Sequence, residues 1–421
     1  MNQTASLRTL DDWLPWLESL SPREIVLGLE RVHEVLERLD LGRPPLIINV
    51  AGTNGKGSSV AMLEAIHRSA GIRTGCYTSP HLIRYNERIR IDGRAADDEA
   101  IIKALRAVET ARGDVPLTFF EFGTLAAVKA FDDAGVDAWI LEVGMGGRLD
   151  AVNAIEPDGC LITNVSLDHC AWLGDDIESI AGEKAGVMRP AKPAVFGATE
   201  VPRVIKTHAA ATGADLKLRG RDFDVLDSGE AWSWRGAEIE LDGLPKPALS
   251  GDKQLDNIGA VFALLEALDR TELLDREIVD SALRSVALSG RFQRIEDRWI
   301  LDVAHNVAAG SALSAQLGGL QFDRLIAVVG MLADKDVDGF LGTFAHRVDE
   351  WIAAPVGGSR GQSALDTAIV VANGQCKPCL VSPTLEEALE TARYRAADGT
   401  MILVTGSFHV VGPALEWLNL N

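Results

Sequence analysis

Apolar residues recur along this chain in two rhythms that alternate. Mostly apolar runs of strand length occupy residues 46–50, 138–143 and 160–165, and residues 73–77 read as a further short strand. Runs without polar alternation suit central parallel strands covered on both faces. Between them the spacing becomes helical, at 59–70, 101–111 and 123–134, the first stopping at Gly71. Strands alternating with helices predict a three-layer α/β domain. The stretch 222–241 differs, with two tryptophans, alternating residues and Ser228-Gly229, and predicts a small antiparallel element. Helical patterns at 257–268 and 276–286 lead to Leu288-Ser289-Gly290, where we place a hinge. Beyond it the alternation starts afresh. Strands are expected at 299–303, 324–329, 350–354 and 400–404, and helices at 308–317, 337–346, 363–371 and 384–395.

Two domains are therefore expected, 1–289 and 290–421, which the length of 421 residues also favours. The fold class is α/β: a P-loop-type three-layer ATPase domain followed by a smaller Rossmann-like α/β domain. Apolar residues make up 47% and charged residues 24%, as in a soluble globular protein rather than a disordered chain. The net charge of −20 argues against nucleic acid or an anionic membrane as partner. No segment is long and uncharged enough to span a bilayer, and the N-terminus lacks the pattern of a secretory signal. Of the five cysteines only Cys376 and Cys379 are close, and we read that pair as reduced and structural. The compartment expected is the cytosol.

The chemistry starts at LIINVAGTNGKGSSV, residues 46–60. A strand breaks into a glycine-rich turn that opens a helix, an arrangement whose backbone N–H groups can wrap a phosphate. Lys56 would reach the outer phosphates and a following hydroxyl would face magnesium. The strict P-loop pattern is not met, because Val50 stands where a glycine is asked for and Gly57 where a hydroxyl is. Glu142, in Leu141-Glu142-Val143-Gly144, sits at the carboxyl end of a strand, where parallel sheets bind ligands. It reads either as a magnesium ligand or as a surface glutamate. Asp168-His169 and Ser79-Pro80-His81 occupy the same edge. Lys184 reads locally as an ordinary helix lysine. In the second domain Asp302-Val-Ala-His305-Asn306 follows a strand, Arg291 lies at the hinge, and Ser407 opens the last helix.

Together these segments resemble the bifunctional dihydrofolate synthase/folylpolyglutamate synthase family, itself similar to the muramyl ligases. The matching motifs span nearly the whole chain: LGLERV, AGTNGKGS, TSPHLIRYNERIR, LTFFEFGTLAA, LEVGMGGRLDAVN, LDHCAWLGDDIESIAGEKAGVMR, SGRFQ, DVAHN, GMLADKD and GSFHVV. The resemblance implies an ATP-dependent ligase that converts a carboxylate to an acyl phosphate, which the amine of L-glutamate then attacks. Its acceptors would be 7,8-dihydropteroate and tetrahydrofolates. It implies that Thr53, Asn54, Gly55, Lys56, Gly57 and Ser58 hold the triphosphate, with Asn257, Arg291 and Asp302 as further ATP contacts. Ser79, Glu142, His169 and a carbamylated Lys184 would bind magnesium, two Mg2+ ions being expected, and a monovalent cation such as K+ would be compatible. Lys56, His169, Lys184 and His305 would be catalytic, and His305 and Ser407 would bind glutamate. Pteroate would rest on Leu27, Gly28, Arg31, Thr118, Phe119, Phe120, Leu149 and Asp150. The chain departs from relatives at Val307 and Ala308, where proline and a larger residue are common, and at Val26, where aspartate is common. Alternatives are a folylpolyglutamate synthase alone, a muramyl-type amide ligase, or a nucleotide switch without chemistry. A monomer is expected.

Overall fold

The computed structural model describes residues 7–21, 26–249, 251–358, 360–375 and 377–420. Cys376 lies outside them, so the Cys376–Cys379 pair is not assessed. Eight strands form the first sheet: β1 (Leu46–Ala51), β2 (Thr74–Tyr77), β3 (Ile89–Ile91), β4 (Arg94–Ala95), β5 (Ala138–Glu142), β6 (Gly159–Ile162), β7 (Pro193–Phe196) and β8 (Asp215–Leu218). Their order is β4-β3-β2-β5-β1-β6-β7-β8. Neighbours run parallel except along β3 and β4, which turn back as an antiparallel edge. Along β1 the side chains alternate between two cores. Leu46, Ile48 and Val50 pack under the helices Lys56–Ser69 and Asp252–Ala267, and Ile47 and Ala51 pack on the opposite face. This alternation between two apolar layers explains why the strand is apolar on both faces apart from Asn49.

A three-stranded antiparallel sheet follows, from β9 (Asp224–Asp227), β10 (Ala231–Arg235) and β11 (Glu240–Pro245). It reaches four residues past the expected stretch. Its tryptophans anchor it: Trp232 stacks on Phe262, and the Trp234 indole N–H donates to the Gly259 carbonyl at 3.0 Å.

The third sheet contains β12 (Gln293–Ile295), β13 (Trp299–Asp302), β14 (Arg324–Val329), β15 (Glu350–Ala353), β16 (Cys379–Val381) and β17 (Thr400–Thr405). The order β12-β13-β17-β14-β15-β16 is parallel except for β12. The helix expected over 337–346 is shorter. It runs Val337–Gly342, and a separate 3-10 turn follows at Ala345–Arg347. A close approach joins the two α/β layers: the Leu82 carbonyl sits where a Cβ on Gly412 would be, 1.9 Å away, so the last helix, Phe408–Trp417, tolerates only glycine there. Among the described residues no helix is long and apolar enough to cross a membrane.

Candidate active site

The loop after β1 is shaped by its glycines. Gly52 and Gly55 have φ of +142° and +85°, values that disfavour a side chain. Gly55 is the N-cap of the helix Lys56–Ser69, so that helix begins inside the loop rather than at Ser59. The Lys56 ammonium folds back on its own loop, donating to the carbonyls of Gly52 at 3.2 Å and Thr53 at 3.3 Å. Ser58 is buried in the first turn of the helix.

Three other strand ends of the first sheet reach the same place. Beyond β2, the loop carrying Ser79 is pinned by Glu87, whose carboxylate accepts from the N–H groups of Leu82, Ile83 and Arg84 at 2.6–2.8 Å. Glu142 ends β5 and is buried, not a surface glutamate. It accepts the Ser79 N–H at 3.2 Å, and burial raises its pKa while the charge of Lys56 opposes that rise. Beyond β6, His169 adopts a left-handed backbone, and burial lowers its pKa to about 4, with Asp168 opposing the shift. The imidazole is neutral at pH 7 and free to act as a ligand.

Lys184 is the departure from local expectation. Its side chain is buried, and its amine donates to the Gly52 carbonyl at 3.1 Å, 132 residues away in sequence. Burial and the nearby charge of Lys56 lower its pKa to about 7. That shift favours the neutral amine, the form that captures carbon dioxide.

A cavity of about 110 Å³ is lined by the loop Gly52–Gly57 with Ser79, Glu142, His169 and Lys184, and from the third-sheet side by Arg291, His305 and Phe408. The Arg291 guanidinium lies 5.6 Å from the Phe408 ring centre. His305 directs Nδ1 at the Val303 carbonyl, 2.9 Å away, which turns Nε2 toward Asp168. Asn257, Asp302 and Ser407 do not line this cavity. Asn257 abuts the phosphate loop, since a Cβ on Gly55 would lie 2.6 Å from its Oδ1. Asp302 accepts from the N–H groups of Phe292 and Ala304, each at 2.8 Å, tying the turn before β12 to the end of β13, and burial raises its pKa. Ser407 caps the last helix, accepting the His409 N–H at 3.1 Å.

The segments expected to hold pteroate do not line this cavity themselves. Thr118 and Glu121 make a capping box that starts the helix Phe119–Ala134 four residues before the expected position. Glu121 also pairs with Arg31 at 2.6 Å, tying the turn that contains Leu27 and Gly28 to this helix. Phe119 and Phe120 are half-buried, whereas Phe122 is core. Phe120 reaches the cavity's edge at Gly144, where a Cβ would lie 2.5 Å from its ring. Leu149 is half-buried beside Asp150, which accepts the Met145 N–H at 2.9 Å and whose pKa burial raises to about 6.

Sequence reasoning assigned no role to Asp168, Lys335 or Asn306, which bond across the cleft. LDH, DVAHN and GMLADKD were conspicuous as motifs, but nothing local paired them.

Residues 50–201 match the Mur ligase middle domain, and residues 290–408 the Mur ligase glutamate ligase domain. The dihydrofolate synthase/folylpolyglutamate synthase of Escherichia coli (strain K12) is 40% identical over 411 residues, covering 97% of this chain and 95% of that protein. The chain belongs to the dihydrofolate synthase/folylpolyglutamate synthase family. E. coli FolC in complex with DHPP and ADP superposes with a TM-score of 0.92 at 38% identity, over 98% of both chains. Another family member, a bifunctional enzyme with Mn, AMPPNP and L-glutamate bound, superposes with a TM-score of 0.91 at 42% identity, over 98% of this chain and 99% of that one.

A divalent ion fits this family site. Magnesium takes oxygen donors and keeps water and substrate phosphate around it, needing only one or two carboxylates. Glu142 offers a buried carboxylate beside the phosphate loop. Among the described residues no three His, Cys, Asp or Glu side chains cluster as a ready-made metal cage. A site completed by phosphate oxygens is consistent with both facts.

Proposed function

We propose that this chain ligates L-glutamate to 7,8-dihydropteroate, forming dihydrofolate, and to tetrahydrofolates, forming polyglutamates, with ATP converted to ADP and phosphate. The observation that carries this is the single cavity with the phosphate loop Gly52–Gly57 on one wall and Arg291 and His305 on the other. Such a site can hold a triphosphate and an amine nucleophile together. The division of labour would fall at 289/290, with nucleotide and pteroate on the first part and glutamate on the second.

In this scheme the N–H groups of Thr53, Asn54, Gly55, Lys56 and Gly57 wrap the phosphates, and the Lys56 ammonium exchanges its loop carbonyls for β- and γ-phosphate oxygens. Ser58 follows within the helix. Asn257 supports the loop from behind, Arg291 reaches the nucleotide from the hinge, and Asp302 holds the hinge in the required shape. Ser79, Glu142, His169 and Lys184 as its carbamate would hold magnesium. The bound ion would supply positive charge between the γ-phosphate and the approaching carboxylate, which otherwise repel. Lys56 and Arg291 add to that field within a protein of net charge −20.

The acceptor carboxylate attacks the γ-phosphorus, the bond to ADP breaks, and an acyl phosphate forms. The amine of glutamate then attacks the acyl carbon and phosphate leaves, giving the amide. His305 would stand near that amine, and Ser407 near the carboxylates of glutamate. Leu27, Gly28, Arg31, Thr118, Phe119, Phe120, Leu149 and Asp150 would seat the pteroate, the half-buried rings offering flat faces to a heterocycle. We place the enzyme in the cytoplasm as a monomer.

The test is to incubate the protein with ATP, magnesium and glutamate, offering dihydropteroate and tetrahydrofolate separately, and to weigh the products. Both should gain one glutamate or more. A heavier product from tetrahydrofolate alone would leave a monofunctional folylpolyglutamate synthase. ATP hydrolysis with neither acceptor extended would reject the assignment.

A further inference from the structure

Asp168 is a carboxylate placed where a triphosphate and further carboxylates are to be bound. An unpaired anion there would oppose every substrate. Its charge is instead committed across the cleft. Oδ1 pairs with the ammonium of Lys335 and accepts the N–H of His169 at 2.8 Å. Oδ2 accepts from the Asn306 side chain at 3.1 Å and faces His305 Nε2 at 3.5 Å. The two charged side chains are only 7% and 6% exposed, for Asp168 and Lys335 respectively. Burial opposes the charge on Asp168, but the hydrogen bond of His305 and the surrounding positive charges hold the carboxyl well below its usual range.

The partners come from two segments of the third sheet's domain. Lys335 follows β14, and His305 and Asn306 follow β13. Asn306 is also the N-cap of the helix Val307–Gly318, accepting the Ala309 N–H at 2.9 Å. Its carboxamide exchanges hydrogen bonds with that of Asn54 in the phosphate loop, at 3.0 and 3.2 Å. One carboxylate thus gathers three side chains of the opposite domain, and one of these touches the loop that would bind ATP.

We propose that Asp168 is a positioning residue for amide formation: by clamping Lys335, His305 and Asn306 from across the cleft, it sets the second domain's polar groups in register with the phosphate loop. The clamp rests on the glutamate-ligase function proposed above, in that the groups it orders are those that would meet glutamate. Removing one member of a buried pair leaves the other charge uncompensated, so the arrangement is sensitive to neutral substitution. Asparagine keeps the shape of aspartate and can still accept the His169 N–H, which isolates the loss of charge.

Two measurements on the full-length protein test this. In steady state, Asp168→Asn should raise KM for glutamate about tenfold or more, while the Kd of a non-hydrolysable ATP analogue, measured by calorimetry, stays within about threefold. Lys335→Gln should raise the same KM, and the double variant should do little more than either single one, because both break one contact. Separately, and without substrates, hydrogen exchange of peptides covering 303–310 and 331–337 should accelerate about tenfold or more in Asp168→Asn, with exchange in β1 unchanged.

Unchanged exchange in these peptides would overturn the clamp, whatever the turnover. So would equal losses in nucleotide and glutamate binding, or effects of the two single variants that multiply in the double variant. If the wild type makes no folate product while the exchange difference appears, the clamp stands and the functional assignment fails.

Discussion

Gly52→Ala is the substitution that the phosphate loop should tolerate least. At φ +142° the backbone lies in a region closed to most side chains, and holding an alanine there costs about 1–3 kcal/mol. The new Cβ would sit 1.9 Å from Thr163 Oγ1 and 3.1 Å from the Thr163 backbone nitrogen, so the hydroxyl must leave. That hydroxyl now donates to the Asn54 carbonyl at 2.6 Å. Stranding a buried hydroxyl costs about 1–3 kcal/mol more. The total, roughly 2–6 kcal/mol, is a large part of the ~5–15 kcal/mol that holds a typical domain folded. Urea unfolding followed by circular dichroism measures the loss, and calorimetry with an ATP analogue reports the loop. Thr163→Ala provides the internal control. It removes the obstructing hydroxyl, while Asn164 Nδ2 still serves the Asn54 carbonyl at 2.8 Å. In that background Gly52→Ala should cost only the strain, giving a coupling of about 1–3 kcal/mol between the two sites. A loss below about 1 kcal/mol for Gly52→Ala alone, or strictly additive effects, refutes the reasoning.

Three further outcomes are expected. Lys56→Ala should abolish product formation with an unfolding midpoint close to wild type, because its ammonium bonds only loop carbonyls; measurable turnover would remove the phosphate-ligand role. Lys184 should make stability depend on pH: its folded pKa of about 7 lies below that of the unfolded chain, so the unfolded state binds more protons between the two values. Ligand-free stability should therefore rise from pH 7 toward pH ~10.4, by up to about 1.4 kcal/mol per unit, and Lys184→Met should flatten that slope in urea titrations. Arg291→Ala should weaken ATP-analogue binding about tenfold and leave the first sheet's exchange rates unchanged; an unaltered Kd would detach Arg291 from the nucleotide.

Much of this molecule could be read along the chain, because its signals are local. Apolar runs bounded by turn residues marked β1, β5, β6 and β14 within about three residues, since strands buried on both faces carry few polar residues. The glycine-rich loop and the tryptophan-bearing antiparallel element were legible for the same reason. Strands β7 and β8 were not, being four residues each with mixed exposure, too short for a periodic pattern. The start of the helix Phe119–Ala134 was obscured because Phe119 and Phe120 are only half-buried while Phe122 enters the core. Tertiary structure alone decided which polar residues come together. Lys184 has the sequence surroundings of a solvated helix lysine, and only its tertiary setting, burial beside the charge of Lys56, favours its neutral amine. Asp168 and Lys335 lie 167 residues apart, and Asn54 and Asn306 lie 252 apart. No local propensity encodes such pairs. They exist because parallel sheets direct the ends of their strands to one edge, and because two such edges face each other across the cavity.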